Sequence, residues 1–207
     1  LVTSEANAVA IFSVVLNTEP TDVVTITFSS TDAGEGTAAP GSLTFTPTNW
    51  DTVQTVTVTG VDDEIDDGPQ GYTIVSGAAV SVDSEYAGYD APDISATNTD
   101  DDNAGISVLP TSGLSVTEAG GTDTFNIVLQ SEPTDDVTIS VSSTEPTEGT
   151  VNPASVTFTS LNWASPQPIT VAGVDDEVDD GNRLFIVLIN PAVSTDPNYG
   201  GLDPQDV

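Results

Sequence analysis

Acidic side chains collect in three short runs of this sequence. Asp62, Asp63, Glu64, Asp66 and Asp67 form one, Asp100, Asp101 and Asp102 a second, and Asp175, Asp176, Glu177, Asp179 and Asp180 a third. Two carboxylates about 4 Å apart repel by roughly 4 kcal/mol at an effective dielectric near 20, so a loop that packs several of them needs a counter-cation to stay ionised and ordered. The chain itself supplies almost none. Against 33 Asp and Glu stands a single basic side chain, Arg183, with no His, for a formal net charge of −32. An inorganic cation is the natural partner, and calcium (Ca2+) fits the demand. It takes six to eight oxygen ligands in flexible geometry, whereas magnesium keeps its waters and softer metals want the His and Cys that are missing here.

The same composition closes off other chemistry. Nucleic-acid backbones are met by clustered Lys and Arg, so a nucleic-acid partner is excluded. Without Cys, His or Met there is no thiol or imidazole nucleophile, no zinc-type ligand set and no disulfide. Paired carboxylates hydrolyse glycosides when one is held protonated and the other ionised across a cleft. Here they crowd at loop ends in two near-identical small units, so no enzymatic activity is expected. A salt-adapted acidic surface is the competing explanation, but it would spread carboxylates over exposed strand faces. Those faces carry Thr and Ser instead, and Asp outnumbers Glu roughly two to one, as short-armed ligands would. The Asp-x-Asp-x-Asp-Gly loop of an EF-hand is missing.

The elements that must position these runs come in duplicate. Leu1 to Ile94 aligns with Leu114 to Val207 without a gap, and about half of the pairs are identical. Glu19-Pro-Thr-Asp22 matches Glu132-Pro-Thr-Asp135, and Gly60-Val-Asp-Asp-Glu64 matches Gly173-Val-Asp-Asp-Glu177. Apolar residues alternate at Val24, Ile26 and Phe28, at Val56 and Val58, and at their second-copy counterparts Val137, Ile139, Val141, Ile169 and Val171, the period of half-buried strands. Further short β-branched runs, Ile11 to Leu16, Leu43 to Thr46, Tyr72 to Val75 and Asp93 to Asn98, are separated by Gly, Pro, Asn and Asp. The expected fold is all-β, two tandem immunoglobulin-like antiparallel β-sandwiches, with an up-and-down barrel as the alternative. Domains are expected at 1–103 and 104–207. The first is expected to lack a strand equivalent to Ile106–Leu109, and the second the end of its last strand. No run of residues is apolar enough for a membrane span.

The stretch Val61-Asp-Asp-Glu-Ile-Asp-Asp-Gly68 before Tyr72-Thr-Ile74, with Asp100-Asp-Asp102 closing the unit and Ala104-Gly-Ile106 opening the next, resembles the Calx-beta domain. That family comprises calcium-sensing domains of sodium-calcium exchangers and tandem repeats of very large bacterial surface proteins and adhesins. Leu43 to Trp50 is similar to the bacterial repeats in particular. The resemblance implies a seven-stranded sandwich holding several calcium ions at one pole. Its ligand positions fall on Glu5, Asp62, Asp63, the backbone carbonyl of Ile65, Asp67, Asp100, Asp101 and Asp102, with Glu35 a looser match. In the second copy they fall on Glu118, Glu148, Asp175, Asp176, Val178 and Asp180. Where many members carry a further acid, this chain has Gln70 and Arg183, and a fixed cation beside the second cluster would compete with calcium.

The expected role is a calcium-binding structural repeat of a secreted bacterial surface protein, a stiffened stalk or extracellular filament. Its expected partners are neighbouring repeats or further copies of itself, meeting end to end. The alternative is a calcium-dependent adhesion module for carbohydrate or protein, for which Trp50 and Trp163 would be stacking platforms. Packing is the expected role of both Trp residues. Tyr86 and Tyr199 are candidate surface contacts, and Asp83, Asp90, Asp93, Asp196, Asp203 and Asp206 form a second acidic loop system, read as turn residues.

Overall fold

Alternation at every second residue decides which face each strand buries. In Val24–Ser30 the side chains of Val24, Ile26 and Phe28 point inward while Thr27 is exposed, and Val137–Ser143 repeats this burial residue for residue. The structure, a computed structural model, describes residues 1–175 and 181–207. It divides into two units, residues 1–63 with 67–101, and residues 64–66 with 102–207. No helix is assigned among the described residues, and none is long and apolar enough to cross a membrane.

The first unit holds β1 (Val2–Ser4), β2 (Val9–Val14), β3 (Val24–Ser30), β4 (Gly36–Ala39), β5 (Ser42–Phe45), β6 (Gln54–Gly60), β7 (Gln70–Ser76) and β8 (Ile94–Thr99). One sheet runs β1-β8-β7-β3-β5 and the other β2-β6-β4. The second unit holds β9 (Ile106–Leu109), β10 (Thr122–Leu129), β11 (Val137–Ser143), β12 (Gly149–Asn152), β13 (Ser155–Phe158), β14 (Gln167–Gly173) and β15 (Val187–Ile189). Its sheets run β12-β14-β10-β9 and β13-β11-β15. Each unit is a β-sandwich whose two inner faces enclose one core. Among the described residues strand pairing is antiparallel except between β1 and β8, which run parallel with Thr3 opposite Asn98.

Phe45 and Phe158 are fully buried at equivalent places in the two cores. Removing such a ring from water contributes on the order of 2–3 kcal/mol. Glycines permit the closest approaches. The ring of Tyr72 lies over Gly36 and that of Phe185 over Gly149, where any Cβ would overlap the ring.

Strand limits shift slightly from those read in the sequence. The second strand ends at Val14, and Leu16 instead donates its N–H to the Trp50 carbonyl at 3.2 Å. Trp163 accepts equivalently from Leu129 at 3.2 Å. Both indoles are half-buried against their cores, the packing role expected of them. The two tyrosines are anchors. Tyr86 donates to the Thr18 carbonyl at 2.7 Å, and the buried Tyr199 to that of Ser131 at the same distance. Asp83 and Asp196 are turn residues, accepting from the amides of Thr21 and Glu85 and of Thr134 and Asn198. The Thr21 and Glu85 amides hold the Asp83 carboxyl below its ordinary range. Burial works against ionisation of Asp196, but its hydrogen bonds from Thr134, Asn198 and Tyr199 outweigh burial and hold the carboxyl below its ordinary range.

Candidate metal centre

A parallel pair brings residues far apart in sequence to one pole. Because β1 and β8 run in the same direction, the residues that follow them, Glu5 and Asp100, leave the sheet at the same end. The Glu5 N–H donates to the Thr99 carbonyl at 3.1 Å, and the Glu5 carboxylate accepts from the Asp101 N–H at 3.2 Å. On the facing sheet Gly36 pairs with Gly60 across β4 and β6, which sets Glu35, before one strand, beside Val61, after the other. The Val61 N–H donates to the Glu35 carbonyl at 3.0 Å. Asp100 Oδ2 accepts from the Gly68 N–H at 2.6 Å and so ties the loop after Asp67 to the same pole.

A buried polar network underlies these carboxylates. Asn98 is fully buried, donating through Nδ2 to the Val61 carbonyl at 2.8 Å and to Glu35 at 3.5 Å. Its Oδ1 accepts from the Thr3 hydroxyl at 3.0 Å, which in turn lies 2.9 Å from the Tyr72 hydroxyl. Gly60 makes room for it, since any Cβ there would overlap Asn98 Oδ1 and the Ser4 carbonyl. Neither Asn98 nor Thr3 was singled out in the sequence. The available signal was a polar residue in a strand two positions before three consecutive Asp.

Glu5 and Asp100 converge, with carboxylate oxygens within 4.8 Å of each other. Glu5 is only 1% exposed. Burial pushes its carboxyl up to about 7 against the pull of the Asp101 amide, and the charges of Asp100, Asp63 and Glu35 push the same way. Glu35 is also raised, by burial first, against its hydrogen bond from Asn98 and with Asp67, Asp63 and Asp32 adding to the rise. Thus Glu5, Glu35, Asp63, Asp67 and Asp100 are gathered at one pole of the first unit, while Asp102 falls in the second unit. Asp62 is exposed, and Asp101 takes part through its amide while its side chain is exposed. Ile65 lies in the segment 64–66 that groups with the second unit. The donor set is oxygen alone, the chemistry of a hard cation, and the chain has one Lys or Arg and no His to neutralise it.

Residues 1–98 and 100–206 each match the Calx-beta domain. The chain belongs to the Calx-beta family. Among solved structures this tandem Calx-beta chain is similar to CBD12 from CALX1.2, at 15% identity over 92% of this chain and 77% of that one, with a TM-score of 0.41. It is also similar to the calcium binding domain CBD12 of CALX1.1, at 20% identity over 92% and 77% with a TM-score of 0.38. A third is the E. coli chaperone DraB, at 9% identity over 100% and 93% with a TM-score of 0.38. No curated protein matches the chain.

The second Calx-beta unit presents its counterpart residues differently. Glu118, equivalent to the buried Glu5, is exposed, as is Asp175, while Glu148 is half-buried like Glu35. Asp176, Val178 and Asp180 lie outside the described residues.

Proposed function

We propose that this chain is a calcium-binding segment of a secreted bacterial surface protein, in which tandem Calx-beta units form a stiffened stalk or an extracellular filament. One observation carries the calcium reading: a buried glutamate, Glu5, meets Asp100 in a chain with almost no cations of its own. A divalent ion that removes the mutual repulsion of these oxygens supplies what the fold lacks, and calcium's tolerance of many oxygen ligands suits the carboxylates around them. The structural role is supported by the repeat itself and by a composition without the side chains of common catalytic machinery.

Melting in chelator, calcium, magnesium and sodium chloride tests the calcium reading. If calcium binds only the folded state, 100 times its dissociation constant adds about 2.7 kcal/mol per site. That is about 10 °C or more for a domain of roughly 100 residues. Equal shifts with magnesium or with salt at matched ionic strength overturn it. A saturable calcium-dependent glycan signal that is lost on Trp50→Ala replaces the structural role with the adhesion module.

A further inference from the structure

The side-chain amide of Asn98, fully buried in the first unit, meets groups from both sheets of the sandwich. Chemistry fixes which way it faces. The Val61 carbonyl can only accept, so the amino group must face it, at 2.8 Å, and the amide oxygen then faces the Thr3 hydroxyl, at 3.0 Å. The same amino group reaches Glu35 Oε2 at 3.5 Å. Val61 and Glu35 are themselves joined, the Val61 N–H donating to the Glu35 carbonyl at 3.0 Å. One amino group therefore bridges a carboxylate at the pole and the residue that leads into Asp62 and Asp63. Beneath it the Tyr72 hydroxyl lies 2.9 Å from that of Thr3, and the Tyr72 ring covers Gly36, next to Glu35. Packing alone does not require these polar groups. The second copy has Val116 in the place of Thr3 and Phe185 in the place of Tyr72, and Phe185 covers Gly149 as Tyr72 covers Gly36. The fold thus accepts apolar side chains at both positions.

We propose that Asn98 is a positioning residue of the metal centre, holding Glu35 in place for a cation through a hydrogen bond that Thr3 and Tyr72 brace. This role presupposes the calcium reading. A carboxylate has about four lone-pair sites, so accepting one N–H leaves Glu35 able to ligate. A side chain fixed in advance also has less freedom to lose when it binds. Burial raises the Glu35 carboxyl and the Asn98 N–H opposes that rise, favouring the ionised form that a ligand needs. The hydroxyls serve the same end. With its oxygen met by Thr3, the amide keeps its amino group turned toward Val61 and Glu35. Groups that orient a metal ligand in this way are worth about tenfold to a hundredfold in metal affinity.

Calcium titration calorimetry on the intact chain tests this, following the binding that Glu5→Gln removes. Asn98→Leu should weaken that binding about tenfold or more. In a Glu35→Ala background the same substitution should cost little, because the carboxylate it positions is gone. Asn98→Leu also takes an acceptor from the buried Thr3 hydroxyl, so a second variant guards against loss of the fold. Thr3→Val, Tyr72→Phe, Asn98→Leu carries the second copy's own residues at its first two positions. It should melt in chelator close to the unaltered chain and keep the calcium deficit. In chelator, with no ion present, the Asn98 side-chain amide resonances should shift on Glu35→Ala and stay unmoved on Glu19→Ala. Unchanged calcium affinity in Asn98→Leu, an equal loss in the Glu35→Ala background, or resonances indifferent to Glu35→Ala would overturn the proposal. So would a triple variant that binds calcium like the unaltered chain, or one that fails to fold, since the network would then serve the fold. An unaltered chain that binds no calcium fails the calcium reading itself, whereas binding that survives Asn98→Leu fails this proposal alone.

Discussion

A carboxylate that is 1% exposed and faces other carboxylates has two ways to shed the cost of its charge: a proton or a cation. For Glu5 the folded state holds the carboxyl up at about 7, above its ordinary value of 4.5. The stability it contributes is therefore full below the unfolded value and is lost as pH rises through the folded one. In chelator the first unit should melt at a lower temperature at pH 8 than at pH 5, and Glu5→Gln should flatten that slope. In calcium the ion competes with the proton, so binding near pH 6 should release protons, measurable as a buffer-dependent heat in calorimetry. Glu5→Gln should reduce the calcium-induced rise in melting temperature far more than Glu118→Gln, because Glu118 is exposed. Equal effects of the two substitutions would remove Glu5 from the site.

The parallel pair of β1 and β8 positions the centre, and the glycine beneath it decides how closely the strands approach. At Gly60 a Cβ would overlap the Ser4 carbonyl and Asn98 Oδ1, both fixed by their surroundings. Gly60→Ala should therefore cost about 1–3 kcal/mol, as overpacking does, and should lower calcium affinity by displacing the residue after Ser4. Gly71→Ala is the control, since nothing lies within 4 Å of a Cβ there. If Gly60→Ala melts like Gly71→Ala, the account of this packing is wrong. At this scale the sequence was informative about strand existence and weak about partners. Alternation at Val24, Ile26 and Phe28 requires only neighbouring residues, whereas the pairing of Thr3 with Asn98 joins positions at opposite ends of the unit.

Over the whole molecule the two cores share no residue: one is built from the first unit alone, the other from the second. Phe45→Ala should therefore lower one calorimetric transition and Phe158→Ala the other, each by about 3–5 kcal/mol. A single transition shifted alike by both substitutions would show that the units melt together.

By itself the sequence determined the repeat, the sheet class, the family and the demand for a cation, because each rests on local order or on composition. Two-residue alternation needs no knowledge of partners, and a charge of −32 with one basic side chain needs no coordinates. Which carboxylate is buried was a tertiary decision. Glu5 and Glu118 are the same residue type in matching local sequence, yet one is sealed beneath Asp100 and Asp101 and the other is exposed. In the first unit β8, seated parallel to β1, does the sealing. Desolvation depends on everything packed around a group, and in the first unit that packing comes from residues more than ninety positions along the chain.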